Sequence, residues 1–500
     1  MDLGMNLTPV DYWSPQFPWR NIMKQAEEWR SQNAFWVPDG ENAWDTGFAA
    51  AIPKDQFGYP LELPCNIPTA EAPQIVSTLM ARDLVSYDGG EFVCLYDGDG
   101  DLEFSFDAQV VSSVPGQINL NINPSSNGIQ LRIVRSTKGN HVRNIRVMRT
   151  DDVGSGEKYR TSFVNFIKPQ YRVTRFMQWQ RINGADKAVG SLVVTPGNHI
   201  PEDYYTQTSV YGVSAAEIVG VCQATDSSPW VCLPHLANNN YVRLLARYIA
   251  ENLDAESYRF ELSNEVWNSD FAQSKAARTF GLALGLSDDP FTAQARMYGY
   301  RFQQVSQIVR DEFEKAGKLD KLIMVMGGQA VNTYFLEQAL GQSEAHAFCD
   351  ELTIAPYFGV PLGSDLELSL SLGVEGVLDF CEDEILNKVP GWCSSHKLLA
   401  NQYSLGLSAY EAGQHLVGVG GNLWNQQLSD LFIAANRDPR MRDLYLLYLN
   451  ELSQHMGLTC LFESIVQPSQ WGSWGLVESQ APATWPLSYK YQGVKEFLSE

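Results

Sequence analysis

Basic residues are scarce in this sequence. Lysine and arginine number 36 against 58 aspartates and glutamates, a formal net charge of −22. A field of that sign repels polyanions, so nucleic acid and an anionic membrane surface are excluded as partners and an uncharged one is favoured. Long apolar runs are lacking too, and none approaches the ~20 residues that span a bilayer. The opening "MDLGMNLTPVDYW" has neither the basic start nor the apolar stretch of a signal peptide. No CxxC pair occurs among the eight cysteines, which removes zinc-ribbon and thioredoxin-type motifs. "PWVCLPH" and "LTCLF" read as buried strands in which Cys is a small apolar residue. Free thiols are therefore expected, with one disulfide at the most from the short-spaced pairs Cys222/Cys232 and Cys381/Cys393. Also missing are HExxH, Gly-x-Ser-x-Gly, a phosphate-binding loop and a dinucleotide fingerprint; "GVGGNL" at 418–423 has the wrong spacing. No ligand cluster for a metal is evident, and neither metal nor cofactor is expected.

What is present is a large apolar complement, 44% of the 500 residues, enough for a sizeable core. From about residue 165 onward, short strand candidates alternate with helical stretches. These are "RVTRFMQW" (172–179), "PWVCLPH" (229–235), "YRFELSNE" (258–265), "KLIMVMGGQ" (321–329), "ELTIAPYFG" (351–359), "GLSAYEAGQH" (406–415) and "GLTCLFES" (457–464). Val242, Leu245, Tyr248 and Ile249 define the apolar face of one intervening helix. The N-terminus supplies an eighth strand in "GMNLTPV" (4–10), followed by "FPWRNIMKQAEEWRSQ", read as an amphipathic helix. Eight strand–helix units predict an α/β fold, a (β/α)₈ TIM barrel with its site at the C-terminal ends of the strands.

Residues 57–150 have a different texture, with polar and apolar residues alternating between turn signals. They predict a β-sandwich-like insertion between barrel units one and two, flanked by residues 1–56 and 151–500 of the barrel. "DGDGD" at 97–101 fails the calcium-loop pattern, with Leu102 at the sixth position and Ala108 at the twelfth, and reads as a hairpin turn.

The predicted strand ends are rich in polar and aromatic side chains. Strand four ends at Asn264-Glu265 and strand seven at Glu411, so two carboxylates face each other across the mouth. Arg175, Gln178 and Trp179 end strand two, His235 strand three, Gln329 strand five and Tyr357 strand six. Glu463 ends strand eight, with Trp471 and Trp474 in the loop beyond. Paired carboxyls in this setting suit glycoside hydrolysis, one protonating the leaving oxygen while the other attacks the anomeric carbon. Arg175 and the Tyr357 hydroxyl would favour an ionised nucleophile. Trp and Tyr rings offer plates for sugar faces, and Asn, Gln and His offer partners for hydroxyls.

The segments "RFMQWQ", "PWVCLPH", "ELSNEVWN", "APYFG" and "SAYEAGQH" resemble the strand ends of the retaining clan A glycoside hydrolases, family 5-like, in a bacterial branch that acts on polysaccharides. The resemblance covers residues 1–56 and about 165–500 and does not reach the insertion. It implies Glu265 as acid/base and Glu411 as nucleophile. It further implies that Asn264 holds a sugar 2-hydroxyl, that Arg175 and Tyr357 flank Glu411, and that His235 stands nearby. Gln178, Trp179, Gln329, Trp267, Trp471 and Trp474 complete the expected substrate contacts; Trp267 and Trp424 fit either a platform or a packing role. Glu463 could replace Glu411 in a shifted register, but "AYEAG" matches the clan's strand-seven ending. His415 is expected to begin the next helix. Tyr204, Tyr205 and Tyr211 suggest an open cleft and endo-action. The expected substrate is a neutral β-linked polysaccharide such as a β-glucan, mannan or agar-type galactan. The alternative is a non-catalytic carbohydrate-binding barrel. A secreted or periplasmic location is expected, with the leader absent from this chain.

Overall fold

A computed structural model describes residues 1–38, 40, 42–84, 87–168, 170–184 and 194–500. The chain divides into two compact units, one of Met1–Thr8, Val164–Asn198 and Glu217–Glu500, the other of Pro9–Phe163 and His199–Ala216.

In the first unit eight parallel strands close a barrel. They are β1 (Asp2–Asn6), β10 (Val173–Arg175), β11 (Ser228–Leu233), β12 (Tyr258–Leu262), β13 (Leu322–Gly327), β14 (Glu351–Ile354), β15 (Gly406–Ala409) and β16 (Leu458–Leu461). Six of the eight lie within the segments expected from the sequence, while β1 and β11 overlap theirs but begin two residues and one residue earlier; β1 closes the ring by pairing with both β10 and β16. The alternation in "YRFEL" has a barrel-specific meaning. Tyr258 and Phe260 pack edge-on against Phe313 of the covering helix Pro290–Lys315, at ring separations of 5.0 and 5.5 Å. The intervening Arg259 and Glu261 pair with Glu351 of β14 and Arg175 of β10 respectively. Polar residues on these strands therefore mark the barrel interior rather than a solvated face. In the helix Asn239–Asn252, Val242, Leu245, Ala246 and Ile249 are buried, whereas Tyr248 is 38% exposed. The expected face is thus one residue too wide.

The second unit holds the remaining strands in two four-stranded antiparallel sheets. The first contains β2 (Arg30–Asn33), β3 (Gln74–Met80), β8 (Ile129–Ser136) and β5 (Gly100–Phe106), in the order β2-β3-β8-β5. The second runs β6-β7-β4-β9, formed by β4 (Gly90–Asp97), β6 (Ala108–Val114), β7 (Gln117–Ile122) and β9 (Arg143–Arg149). Val76, Leu131 and Ile133 of one sheet share a core with Phe92, Cys94, Ile118 and Leu120 of the other. This is the sandwich expected between barrel strands one and two, but it reaches well beyond residues 57–150.

Several expectations fail within it. "FPWRNIMKQAEEWRSQ" is not a helix: only Ile22–Gln25 form a single 3-10 turn, capped by the Asn21 side chain, and Arg30–Asn33 are a strand paired to β3. Pro18 disfavours a helical conformation at Phe17, and the end of the segment is taken into sheet pairing with β3. "DGDGD" is not a hairpin either, because β4 and β5 belong to different sheets and the turn crosses between them. Asp99 and Asp101 both pair with Arg135. Tyr205 lines no cleft: it is buried against Trp29 with rings 4.7 Å apart, and its hydroxyl accepts from the Trp29 amide at 2.8 Å. All eight cysteines are free thiols, seven of them buried. Among the described residues no helix is long and apolar enough to cross a membrane.

Candidate active site

Arg175 is the hub of the barrel mouth. The last residue of β10, it lies level with Asn6 of β1 and Trp230 of β11 and is wholly buried. Its Nε and Nη2 donate to Glu261 Oε2 at 3.1 and 2.9 Å. Nη1 donates to Asn6 Oδ1 at 3.0 Å and to Glu411 Oε1 at 2.8 Å. Nη2 also donates to Asn264 Oδ1 at 2.8 Å. Glu261 accepts in addition from Trp230 Nε1 at 2.9 Å. A guanidinium so bound has one orientation available, and it fixes the positions of Glu411 and Asn264 together.

Glu411 lies two residues beyond the end of β15 and is buried. Its second oxygen accepts from the Tyr357 hydroxyl at 3.0 Å. Glu265 stands three strands away, beyond the end of β12. It accepts from the Tyr410 hydroxyl at 2.9 Å and from the Asn268 amide at 2.9 Å. The backbone there is strained: Ser263 and Glu265 have φ of 65° and 42°, in the left-handed region that non-glycine residues avoid. Hydrogen bonds hold it in place, from Ser263 N to Leu233 O at 2.7 Å and from Gln273 Nε2 to Asn264 O at 2.7 Å. The Asn264 side chain is committed at both ends, its Nδ2 donating to Asn183 Oδ1 at 3.2 Å.

Burial pushes the Glu411 carboxyl up to about 7; the Arg175 guanidinium opposes that rise, the charge of Glu265 adds to it, and the Tyr357 hydroxyl opposes it. Burial also raises Glu265, against the Asn268 and Tyr410 hydrogen bonds. The two groups interact, so their protons belong to the pair. A third carboxyl, Glu463, is pushed well above the ordinary range by burial and the nearby Glu411 charge, with Lys490 opposing. The Gln178 side-chain amide donates to Glu463, and no guanidinium or tyrosine among the described residues does.

The remaining expected residues divide. Trp474 is at the site, its ring 5.9 Å from Tyr357, 5.0 Å from His415 and 5.6 Å from Phe462, edge-on in each case. Its loop is held by Gln414 Nε2 and Lys490 Nζ, which both donate to Ser473 O, at 2.8 and 2.6 Å. Gly472, at φ 112°, is obligatory there because a Cβ would lie 2.4 Å from the Trp474 indole nitrogen. Trp267 is half-buried beside Asn268, and its Nε1 has no hydrogen-bond partner among the described residues. Trp179, by contrast, is a core residue: its ring is buried against Phe176 and its Nε1 donates to Thr8 O at 2.9 Å. His235 lines a small, largely apolar cavity of about 40 Å³ with Leu262, Val266 and Phe280. Gln329 accepts from Asn332 at 2.9 Å. His415 begins no helix; a 3-10 turn follows only at Gly420 and the next α-helix at Gln426, and the imidazole packs 5.5 Å from Tyr357.

Tyr410, Glu261 and Asn6 escape sequence reasoning. Tyr410 was legible only as the neighbour of Glu411. Glu261 and Asn6 needed the knowledge that alternate positions of these strands face inward.

No protein-family model matches the chain, and no curated protein matches it. Solved structures of glycoside hydrolases are similar to it. One is the family 51 arabinofuranosidase of Xanthomonas axonopodis pv. citri, at 11% identity and a TM-score of 0.38 over 61% of this chain and 60% of that one. Another is the family 26 endo-β-1,4-mannanase of Cellulomonas fimi, at 12% identity and a TM-score of 0.30 over 56% of each chain. A third is a family 5 cellulase from a Bacteroidetes-affiliated source, at 12% identity and a TM-score of 0.36 over 69% of this chain and 85% of that one. The match spans less than two thirds of the arabinofuranosidase and of the mannanase.

Proposed function

We propose that the chain is a retaining, endo-acting glycoside hydrolase that cleaves a neutral β-linked polysaccharide. The observation that carries this reading is the unequal company of two carboxyls at one barrel mouth. Of the two, Glu411 is the one that accepts from a guanidinium among the described residues, which favours the shared negative charge on it. Among the described residues Glu265 accepts hydrogen bonds from neutral donors only, the Asn268 amide and the Tyr410 hydroxyl, which favours it as the proton carrier of the pair.

The chemistry follows from that division. A Glu411 oxygen attacks the anomeric carbon as the bond from that carbon to the leaving oxygen breaks, and the Glu265 proton goes to the leaving oxygen. The product is a glycosyl ester on Glu411. Water then attacks the same carbon, its proton passes to Glu265, and Glu411 leaves as carboxylate. Two inversions give net retention. In this reading Asn264, oriented by Arg175 and Asn183, holds the sugar 2-hydroxyl, and Trp474 and Trp267 bound the ring. Glu463 accepts from the Gln178 amide and lacks the guanidinium partner that Glu411 has among the described residues, which favours Glu411 as the nucleophile. A carboxylate separation of about 5–5.5 Å is expected for retention.

The net charge of −22 favours an uncharged polymer over an acidic one. β-Glucan, mannan and agar-type galactan all qualify. A polymer of that kind does not cross a membrane, which supports a secreted or periplasmic site of action. The test is a product screen of wild type, Glu265→Gln and Glu411→Gln against neutral and acidic β-linked polysaccharides. Oligosaccharide release by wild type alone supports the reading. Retention of a polymer by all three proteins, with no cleavage, contradicts it and favours a binding scaffold.

A further inference from the structure

Trp424 and Trp471 come from the loops after β15 and β16, yet their rings meet at 5.4 Å, 80° apart. They are 68% and 56% exposed, so neither contributes much to the core. Two large rings held together in water form an exposed apolar patch.

Both are rigidly mounted. Trp424 ends the 3-10 turn Gly420–Trp424, whose Asn422 donates to Gly363 O and Ser364 O at 3.2 and 3.1 Å. Trp471 lies in the turn closed by mutual Ser469 and Gly472 backbone hydrogen bonds of 3.2 and 3.0 Å. Its carbonyl accepts from Trp474 Nε1 at 2.7 Å. An unbroken series of contacts therefore runs outward from the reacting groups. Tyr357 touches Glu411, Trp474 packs on Tyr357, Trp471 is bonded to Trp474, and Trp424 packs on Trp471.

We propose that Trp424 and Trp471 form an outer subsite that stacks glycosyl units of a neutral β-linked pyranose chain, away from the bond being cut. This rests on the hydrolase reading and narrows its substrate to a polymer long enough to reach both places. A ring pair set in the polar loops "NLWNQQ" and "SQWGSW" offers apolar faces beside amide and hydroxyl partners. A pyranose presents the same combination, whereas a lipid or an apolar protein surface does not. Fixed rings lose little freedom on binding, so their stacking converts efficiently into affinity.

Affinity electrophoresis of the full chain tests this, in gels containing hydroxyethylcellulose, konjac glucomannan, agarose or polygalacturonate. Wild type, Trp424→Ala, Trp471→Ala and the double variant are compared after thermal melts confirm folding. At least one neutral polymer should retard wild type, with apparent affinity falling about tenfold or more in the double variant. Trp471→Phe should retain most of it. Equal retardation of the double variant overturns the proposal, as does retardation by none of the neutral polymers or by polygalacturonate alone. Cleavage by wild type but not by Glu411→Gln decides the hydrolase reading separately, so failure of one is distinguishable from failure of the other.

Discussion

Tyr410 donates a hydrogen bond of 2.9 Å to Glu265, reaching from the end of strand seven to the residue beyond strand four. Its neighbour Glu411 takes its own hydrogen bond from Tyr357. Each carboxyl therefore has its own tyrosine, and each tyrosine lowers the affinity of its carboxyl for a proton.

Two substitutions should separate these effects. Tyr410→Phe removes a donor to ionised Glu265, so Glu265 titrates higher and the alkaline limb of the kcat/KM profile moves to higher pH. Tyr357→Phe does the same to Glu411 and moves the acid limb to higher pH. Each should lower kcat/KM about tenfold, as expected for a hydrogen bond to a charged group. The check is a pH–rate profile on the polymer that wild type cleaves. A shift of both limbs with either variant would contradict the separate pairing.

Stability should depend on pH through the coupled pair of Glu265 and Glu411, probed at Glu411. Its folded value, about 7, lies above the ordinary carboxylate value of 4.5. Between those values the folded chain holds more protons than the unfolded one, so stability falls as pH rises through the interval. Glu411→Gln keeps the shape and removes the buried charge. Its melting temperature should match that of wild type near pH 4.5 and exceed it at pH 8. An equal gap at both pH values would show that burial of the charge is not the cause.

The pair Arg175–Glu261 should matter more for folding than for chemistry. Both groups are almost fully buried, and removing one partner leaves an under-compensated charge. Glu261→Ala should cost about 3–5 kcal/mol in urea denaturation. A loss below about 1 kcal/mol, the range of exposed pairs, would contradict that role.

The barrel was legible in the sequence because parallel strands covered on both sides read as short apolar runs between helices. Glu265 and Glu411 were legible because acids at strand ends stand out against such runs. Glu261 was not, since in "YRFEL" an inward carboxylate and a solvated one look alike until the strand's neighbours are known. Trp179 misled for a related reason: an aromatic beyond a strand end resembles a sugar platform, but here its ring and its N–H are both satisfied internally. The segment after strand one carried helical periodicity, and periodicity alone could not weigh Pro18 or the pairing offered by β3 to Arg30–Asn33. Tyr205 was misplaced because residues 199–216 belong to the sandwich unit although they follow strand two of the barrel in the chain.

The most direct test of the division between Glu265 and Glu411 is the configuration of the first-formed product, read by proton NMR at the anomeric position while wild type cleaves a neutral β-linked polymer. The account predicts that the β-anomer appears first and the α-anomer only by later mutarotation, with Glu265→Gln and Glu411→Gln releasing nothing. Initial appearance of the α-anomer, or release by the Glu411→Gln variant at the wild-type rate, would contradict it.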